Sequence, residues 1–150
     1  MDSYSKYLDL MIQSGGVKKM KRKQKRLYGN TLNNNKMTHK LHLSEPWFTL
    51  ISLGLKTVEG RKNKGLFKEL KIGDVIEWYN DDFMPRTIKT IVTGKNTYKT
   101  FREYLETEGL QNCLPAMPSI EHGLSVYFKY YTEEDEKQYG VVAIQLKLYN

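Results

Sequence analysis

Disulfide bonding within this chain is excluded by its single cysteine, Cys113, which has no second thiol to pair with and no neighbouring cysteine or histidine at ligand spacing. A lone cysteine of this kind fits a reduced, partly buried thiol and a reducing compartment, the cytosol or the nucleus. Long apolar runs are missing too. None approaches the roughly 20 residues that cross a bilayer, so a soluble protein without membrane partners is expected. The opening "MDSYSKYLDLMIQSGG" lacks the charged-then-apolar order of a secretory signal, its apolar stretch being broken by Asp9 and Gln13. The three histidines, His39, His42 and His122, show no zinc spacing, and Asp81-Asp82 lacks the glycine and glutamate of a calcium loop. No metal and no cofactor are expected. There is no internal repeat.

What is present begins with charge. The 150 residues carry a formal charge of +7, and its position matters more than its size. Residues 1–36 hold nine Lys or Arg against two acids, which leaves fifteen of each sign in residues 37–150. The excess therefore belongs to an N-terminal tail, and the body is balanced. Within the tail, "KKMKRKQKR" supplies Lys18, Lys19, Lys21, Arg22, Lys23, Lys25 and Arg26. Such a polycation is expected to attract nucleic-acid phosphates by counterion release or to serve as a nuclear address; the plain alternative is a solubilising arm. Residues 14–36 are poor in periodic apolar positions and read as flexible, with a marginal amphipathic helix over Ser3 to Ile12. Two regions follow from this: a basic tail over 1–36 and one domain over 37–150. Met37, where patterning begins, is a candidate alternative start.

"THKLHL" alternates as a half-buried strand does. "SEPWFTLISLG" reads as a short amphipathic helix capped by Ser44, with Trp47, Leu50, Ile51 and Leu55 on its stripe and Gly54 as its stop. "KTVEGR", Val75 to Tyr79, "RTIKTIVTG" and "VVAIQLKLY" read as strands. Helices are expected after Thr97 or Thr100 and after Ser119, where Ile120, Leu124, Tyr127 and Tyr131 form the stripe, with a short acidic turn capped by Thr132. Lys62 to Gly65 reads as a turn. The fold class is α+β: mixed β with two or three helices in the connections.

Chemistry concentrates in "KTVEGR". An extended strand places Thr57, Glu59 and Arg61 on one face, with Lys56 at the joint between helix and strand. Two readings are open. One is a structural ion pair between Glu59 and Arg61 at a sheet edge. The other is a polar cleft, in which Arg61 and Lys56 take phosphate or carbonyl oxygens, Glu59 accepts from a base amino group, or Lys56 and Glu59 share proton transfer. Trp47, Trp78 and Tyr79 are nearby stacking candidates. Cys113 in "QNCLPAMP" has no positioned histidine and reads as a packed thiol rather than a nucleophile.

"HLSEPWFTLISLGLKTVEGR" followed by "LKIGDVIEWYN" resembles the ASCH domain of the PUA-like superfamily. Its signature is an apolar helix, then G-x-K-T-x-E-x-R, then a G-D-x-I strand. Gly54, Lys56, Thr57, Glu59, Arg61, Gly73 and Asp74 match it, and the likeness covers about residues 38–148, outside the tail. The resemblance implies a small PUA-like β-barrel flanked by helices and a cleft lined by the G-x-K-T-x-E-x-R strand. It further implies an RNA-binding or nucleotide-recognising protein, with Lys56, Thr57, Glu59, Arg61, Trp47 and Tyr79 as ligand-binding residues and RNA or a nucleotide as partner.

Some bacterial members are amidohydrolases of N4-acetylcytidine that use a lysine, a threonine and a glutamate, and ribonuclease activity also occurs in the family. The alternative is accordingly a hydrolase with Lys56 and Glu59 as catalytic residues. Three places after the lysine, where that threonine stands, this chain has Glu59; Glu121 is the nearest candidate for the glutamate. A third reading is a protein-interaction module that uses Glu133 to Glu136 and the tail.

Overall fold

A computed structural model describes residues 37–149. The basic run Lys18 to Arg26 and the helix expected over Ser3 to Ile12 lie outside the described residues. In chain order the elements are β1 (Thr38–His42), α1 (Trp47–Ser52), β2 (Val58–Lys62), α2 (Gly65–Glu69), β3 (Val75–Asn80) and β4 (Arg86–Tyr98). They continue with α3 (Phe101–Glu108), α4 (Leu110–Cys113), α5 (Ile120–Tyr127), α6 (Glu133–Tyr139) and β5 (Val141–Leu148). The strands form one mixed half-barrel sheet in the order β1-β3-β4-β5-β2.

β1 runs parallel to β3, with Leu41 opposite Trp78, and every other pair is antiparallel. The half-barrel follows from β4. Its first half pairs with β3 and its second with β5, and the register shifts between Val92 and Gly94. A bulge of this kind bends and twists the strand, so one long strand turns the corner that the sheet needs. β1 and β2 are the two edges.

The α+β class expected from the pattern therefore stands. Two details differ: the sheet is open between β1 and β2 where a barrel was expected, and six helical segments are described where two or three were expected. α2 and α4 have five and four residues, too short for a 3.6-residue period to register. The parallel pairing of β1 with β3 carries no local signature either, because the partners lie 37 positions apart.

β5 reads "VVAIQL" without alternation because it is buried on both faces. Val142, Ile144 and Leu146 pack with Phe48, Ile51, Ile76 and Trp78 against α1. Val141 and Ala143 pack with Val58, Phe101, Tyr104, Leu105 and Tyr127 against α3, α4 and α5. Two cores therefore share one strand, and the sheet lies between α1 on one side and the helical cluster on the other. The Trp78 indole is wholly buried, and its Nε1 donates to Thr90 Oγ1 at 2.9 Å, which explains why a polar threonine is tolerated inside.

α3, α5 and α6 begin as their capping residues dictate. The side chains of Thr100, Ser119 and Thr132 accept from the backbone N–H three residues on, and Thr132 with Asp135 completes a capping box. α1 departs from expectation. It starts at Trp47 with Pro46 in the cap position and no side-chain cap there. Glu45 serves instead, its carboxylate accepting from Thr49 N at 3.1 Å and Thr49 Oγ1 at 2.8 Å. The buried face of α1 is Phe48 and Ile51, and Leu55 is exposed, because the chain leaves the helix at Gly54 (φ 73°) before Leu55 can turn inward.

Candidate functional site

Gly54 ends α1 in the left-handed conformation, and Leu55 N and Lys56 N then both donate to Leu50 O. This tight exit turns Lys56 into the protein just before β2 starts. Lys56 is 3% exposed. Its ammonium donates to Val58 O at 2.7 Å and Cys113 O at 2.5 Å, and it faces Glu59 Oε2 at 3.3 Å. It also sits 5.7 Å from the centre of the Trp47 ring. The lysine thus ties the end of α4 to the start of β2, and three oxygens surround its nitrogen.

Glu59 is 6% exposed and is held between two cations. Arg61 Nε donates to Glu59 Oε1 at 2.9 Å. The Lys56 contact is an ion pair off hydrogen-bonding alignment, which leaves Oε2 without a directed donor among the described residues. Burial pushes the Glu59 carboxyl up, but the charges of Lys56 and Arg61 outweigh it and hold the group below the ordinary carboxylate value of 4.5. Burial by itself would favour a neutral Arg61; Glu59 more than compensates and raises its proton affinity. The guanidinium stacks on Phe67 of α2 at 4.7 Å, so α2, invisible to sequence reading, orients this arginine. Among the described residues its only hydrogen bond is the one from Nε. The two Nη groups, with four N–H donors, have no hydrogen-bond acceptor among the described residues.

Gly60, between the two charged residues, faces the helical cluster. A Cβ there would lie 2.6 Å from Tyr104 Cε1, so the glycine is required by close approach of the ring. Tyr104 in turn shares a hydrogen bond with the Tyr127 hydroxyl at 2.9 Å.

Lys56, Glu59 and Arg61 form the floor of a cavity of about 310 Å³. One wall is Trp47 with the end of β1, His42 to Ser44. The other is the end of α5 and the turn after it, Val126, Tyr127, Tyr130 and Tyr131. A space of this size, apolar-walled with a few convergent polar groups, is at the small end of ligand sites, roughly 300–1,000 Å³.

The structure therefore brings Lys56, Glu59, Arg61 and Trp47 together at one cavity, and it sets Thr57 and Tyr79 elsewhere. Thr57 is fixed through its backbone, N to Asn112 O and O to Leu146 N, and does not line the cavity. Tyr79 lies on the β3–β4 side, edge-on to His42 at 5.3 Å with Lys40 5.5 Å above its ring, because the two-residue period turns it away while Trp78 points into the core. Glu121 is exposed and paired with Arg102 at 2.7 Å, away from the cavity. The Cys113 thiol is buried, which pushes it up to about 11.

Sequence reading missed the tyrosine wall. Tyr127 and Tyr131 were legible only as a helix stripe, and Tyr130 had no signal. No group of acidic, histidine or cysteine side chains among the described residues is arranged to hold a metal ion.

The ASCH domain family matches residues 41–149. The chain belongs to this family. Two solved structures agree with that placement. Hypothetical protein PH0355 is 39% identical, with a TM-score of 0.68, and the match covers 75% of this chain and 99% of that one. Protein PF0455 from Pyrococcus furiosus is 41% identical, with a TM-score of 0.63, over 75% of this chain and 97% of that one. Each match thus takes in nearly the whole of the other chain. No curated protein matches the chain.

Proposed function

We propose that this ASCH domain binds RNA, holding an unpaired nucleotide in the cavity above the G-x-K-T-x-E-x-R strand. The supporting observation is Arg61: a guanidinium oriented by Glu59 and Phe67, at the floor of an aromatic-walled cavity, with both Nη groups unengaged among the described residues. Its planar fork suits phosphate or base oxygens. Glu59 keeps one acceptor atom without a directed donor, which complements an amino or imino N–H on a base edge. Lys56 and Trp47 shape the floor and wall. The basic run from Lys18 to Arg26 adds sequence-independent attraction to phosphates, and a cytosolic or nuclear location would bring it to RNA.

The hydrolase alternative finds less support. A lysine acting as base or nucleophile needs a free lone pair aimed at the substrate, whereas the Lys56 nitrogen is surrounded by Val58 O, Cys113 O and Glu59. The deciding measurement is equilibrium binding of single-stranded RNA to the full chain and to R61K. That variant keeps the charge, and with it the counter-ion for Glu59, but loses the fork. Affinity for the RNA is expected to fall about tenfold; equal affinity in the two proteins would remove the cavity from the account.

A further inference from the structure

Four aromatic side chains line the cavity, and they are not equivalent. Tyr127 and Tyr131 both stack on Phe101, at 4.7 Å and 16° and at 5.4 Å and 17°, so each already has a ring partner on one face. Trp47 is half-buried and carries Lys56 near its ring. Tyr130 differs. It lines the cavity yet is 66% exposed, and among the described residues its ring has no aromatic, cationic or hydroxyl partner.

The ring is nevertheless presented by an ordered turn. Lys129 N donates to Val126 O, and Tyr130 N and Tyr131 N both donate to Tyr127 O. A large apolar face held out to water at a cavity mouth, on a backbone already fixed, binds with little ordering cost. Lys129, beside it in the same turn, is exposed as well.

The cavity has room for about one nucleoside-sized group, and Tyr130 extends the aromatic surface past its mouth. From this, and resting on the RNA reading above, we infer that the ligand is a single-stranded oligonucleotide rather than a free nucleotide: one nucleotide enters the cavity, and the base next to it in the strand stacks on Tyr130. Every base offers a π face, so this second contact contributes affinity with little sequence preference. Specificity remains with the nucleotide above Glu59 and Arg61.

The test compares the full-length wild type with Y130A, Y130W and R61K, each checked for an unchanged melting temperature apart from R61K, whose site is part-buried. The probes are the RNA hexamers (rA)6, (rC)6, (rG)6 and (rU)6 and the four matching nucleoside 5′-monophosphates. Expected results are a loss of about tenfold in hexamer affinity for Y130A, recovery in Y130W, and a clearly smaller loss for the monophosphate that binds best. R61K weakens hexamer and monophosphate alike. If Y130A binds the hexamers as tightly as wild type while R61K does not, the strand inference falls and the cavity reading stands. If Y130A weakens monophosphate and hexamer equally, Tyr130 belongs to the single-nucleotide site and the inference is again overturned. Absence of binding by wild type to every probe overturns both.

Discussion

Burial changes what Lys56, just before β2, and Glu59 and Arg61 within it can do. Removing a carboxylate from water costs several kcal/mol, and removing it with a single partner rarely recovers that cost; Glu59 has two cations, and Lys56 has two carbonyls besides. Deleting one member strands the others. In E59Q, Lys56 loses its one carboxylate partner among the described residues, so unfolding free energy at neutral pH should fall by about 3–5 kcal/mol in chemical denaturation.

The sign of the pH dependence follows from the lowered carboxyl. Its stabilisation is complete above the unfolded value near 4.5 and is lost as pH falls through the lower folded value. The stability gap between wild type and E59Q should therefore close as the solution is acidified below about pH 4.5. A gap independent of pH would show that the Glu59 charge contributes nothing to the fold.

At the level of elements, the strand that carries the charges also has to admit the helical cluster. β2 gives Glu59 and Arg61 to the cavity and, at Gly60, gives up a side chain so that the Tyr104 ring can reach its backbone. Tyr104 then holds Tyr127 by its hydroxyl, and Tyr127 stands in the wall. Glycine here is a packing requirement rather than a turn signal. G60A should lower stability by about 1–3 kcal/mol through overpacking, with a further loss of RNA affinity as the Tyr104–Tyr127 pair shifts. Thermal unfolding and RNA titration of that variant check both, and unaltered stability would mean that the ring can retreat at no cost.

The elements themselves were largely legible beforehand. Alternation marked β1, the run from Val75 to Tyr79 marked β3, the β-branched run marked β4, and Ser119 and Thr132 marked two helix starts, while the start of α3 was left between Thr97 and Thr100 until the structure settled on Thr100. α2 and α4 were not legible because four or five residues carry no period, and α2 matters, since Phe67 orients Arg61.

At the scale of the whole chain, charge is segregated: nine basic residues against two acids in residues 1–36, and fifteen of each sign after them. A balanced body with one arginine fork should contribute the salt-insensitive part of RNA affinity, and the tail the salt-sensitive part. Each phosphate neutralised on a single strand adds about 0.7 to the slope of log K against log salt. A chain lacking residues 1–36 should therefore show a much shallower slope, and it keeps the whole of the family match, residues 41–149. Equal slopes would exclude the tail from RNA binding.

By itself the sequence determined the class of fold, the segregation of charge and the row Lys56, Glu59 and Arg61, because period, caps and composition act over a few residues. Tertiary structure decided the remainder. It placed β1 beside β3 and β5 beside β2 across long stretches of chain, turned the Lys56 ammonium toward two carbonyls, sent Tyr79 away from the cavity, and brought the turn after α5 across from Trp47. Those outcomes depend on which apolar faces are buried together, and no local pattern in the chain encodes that choice.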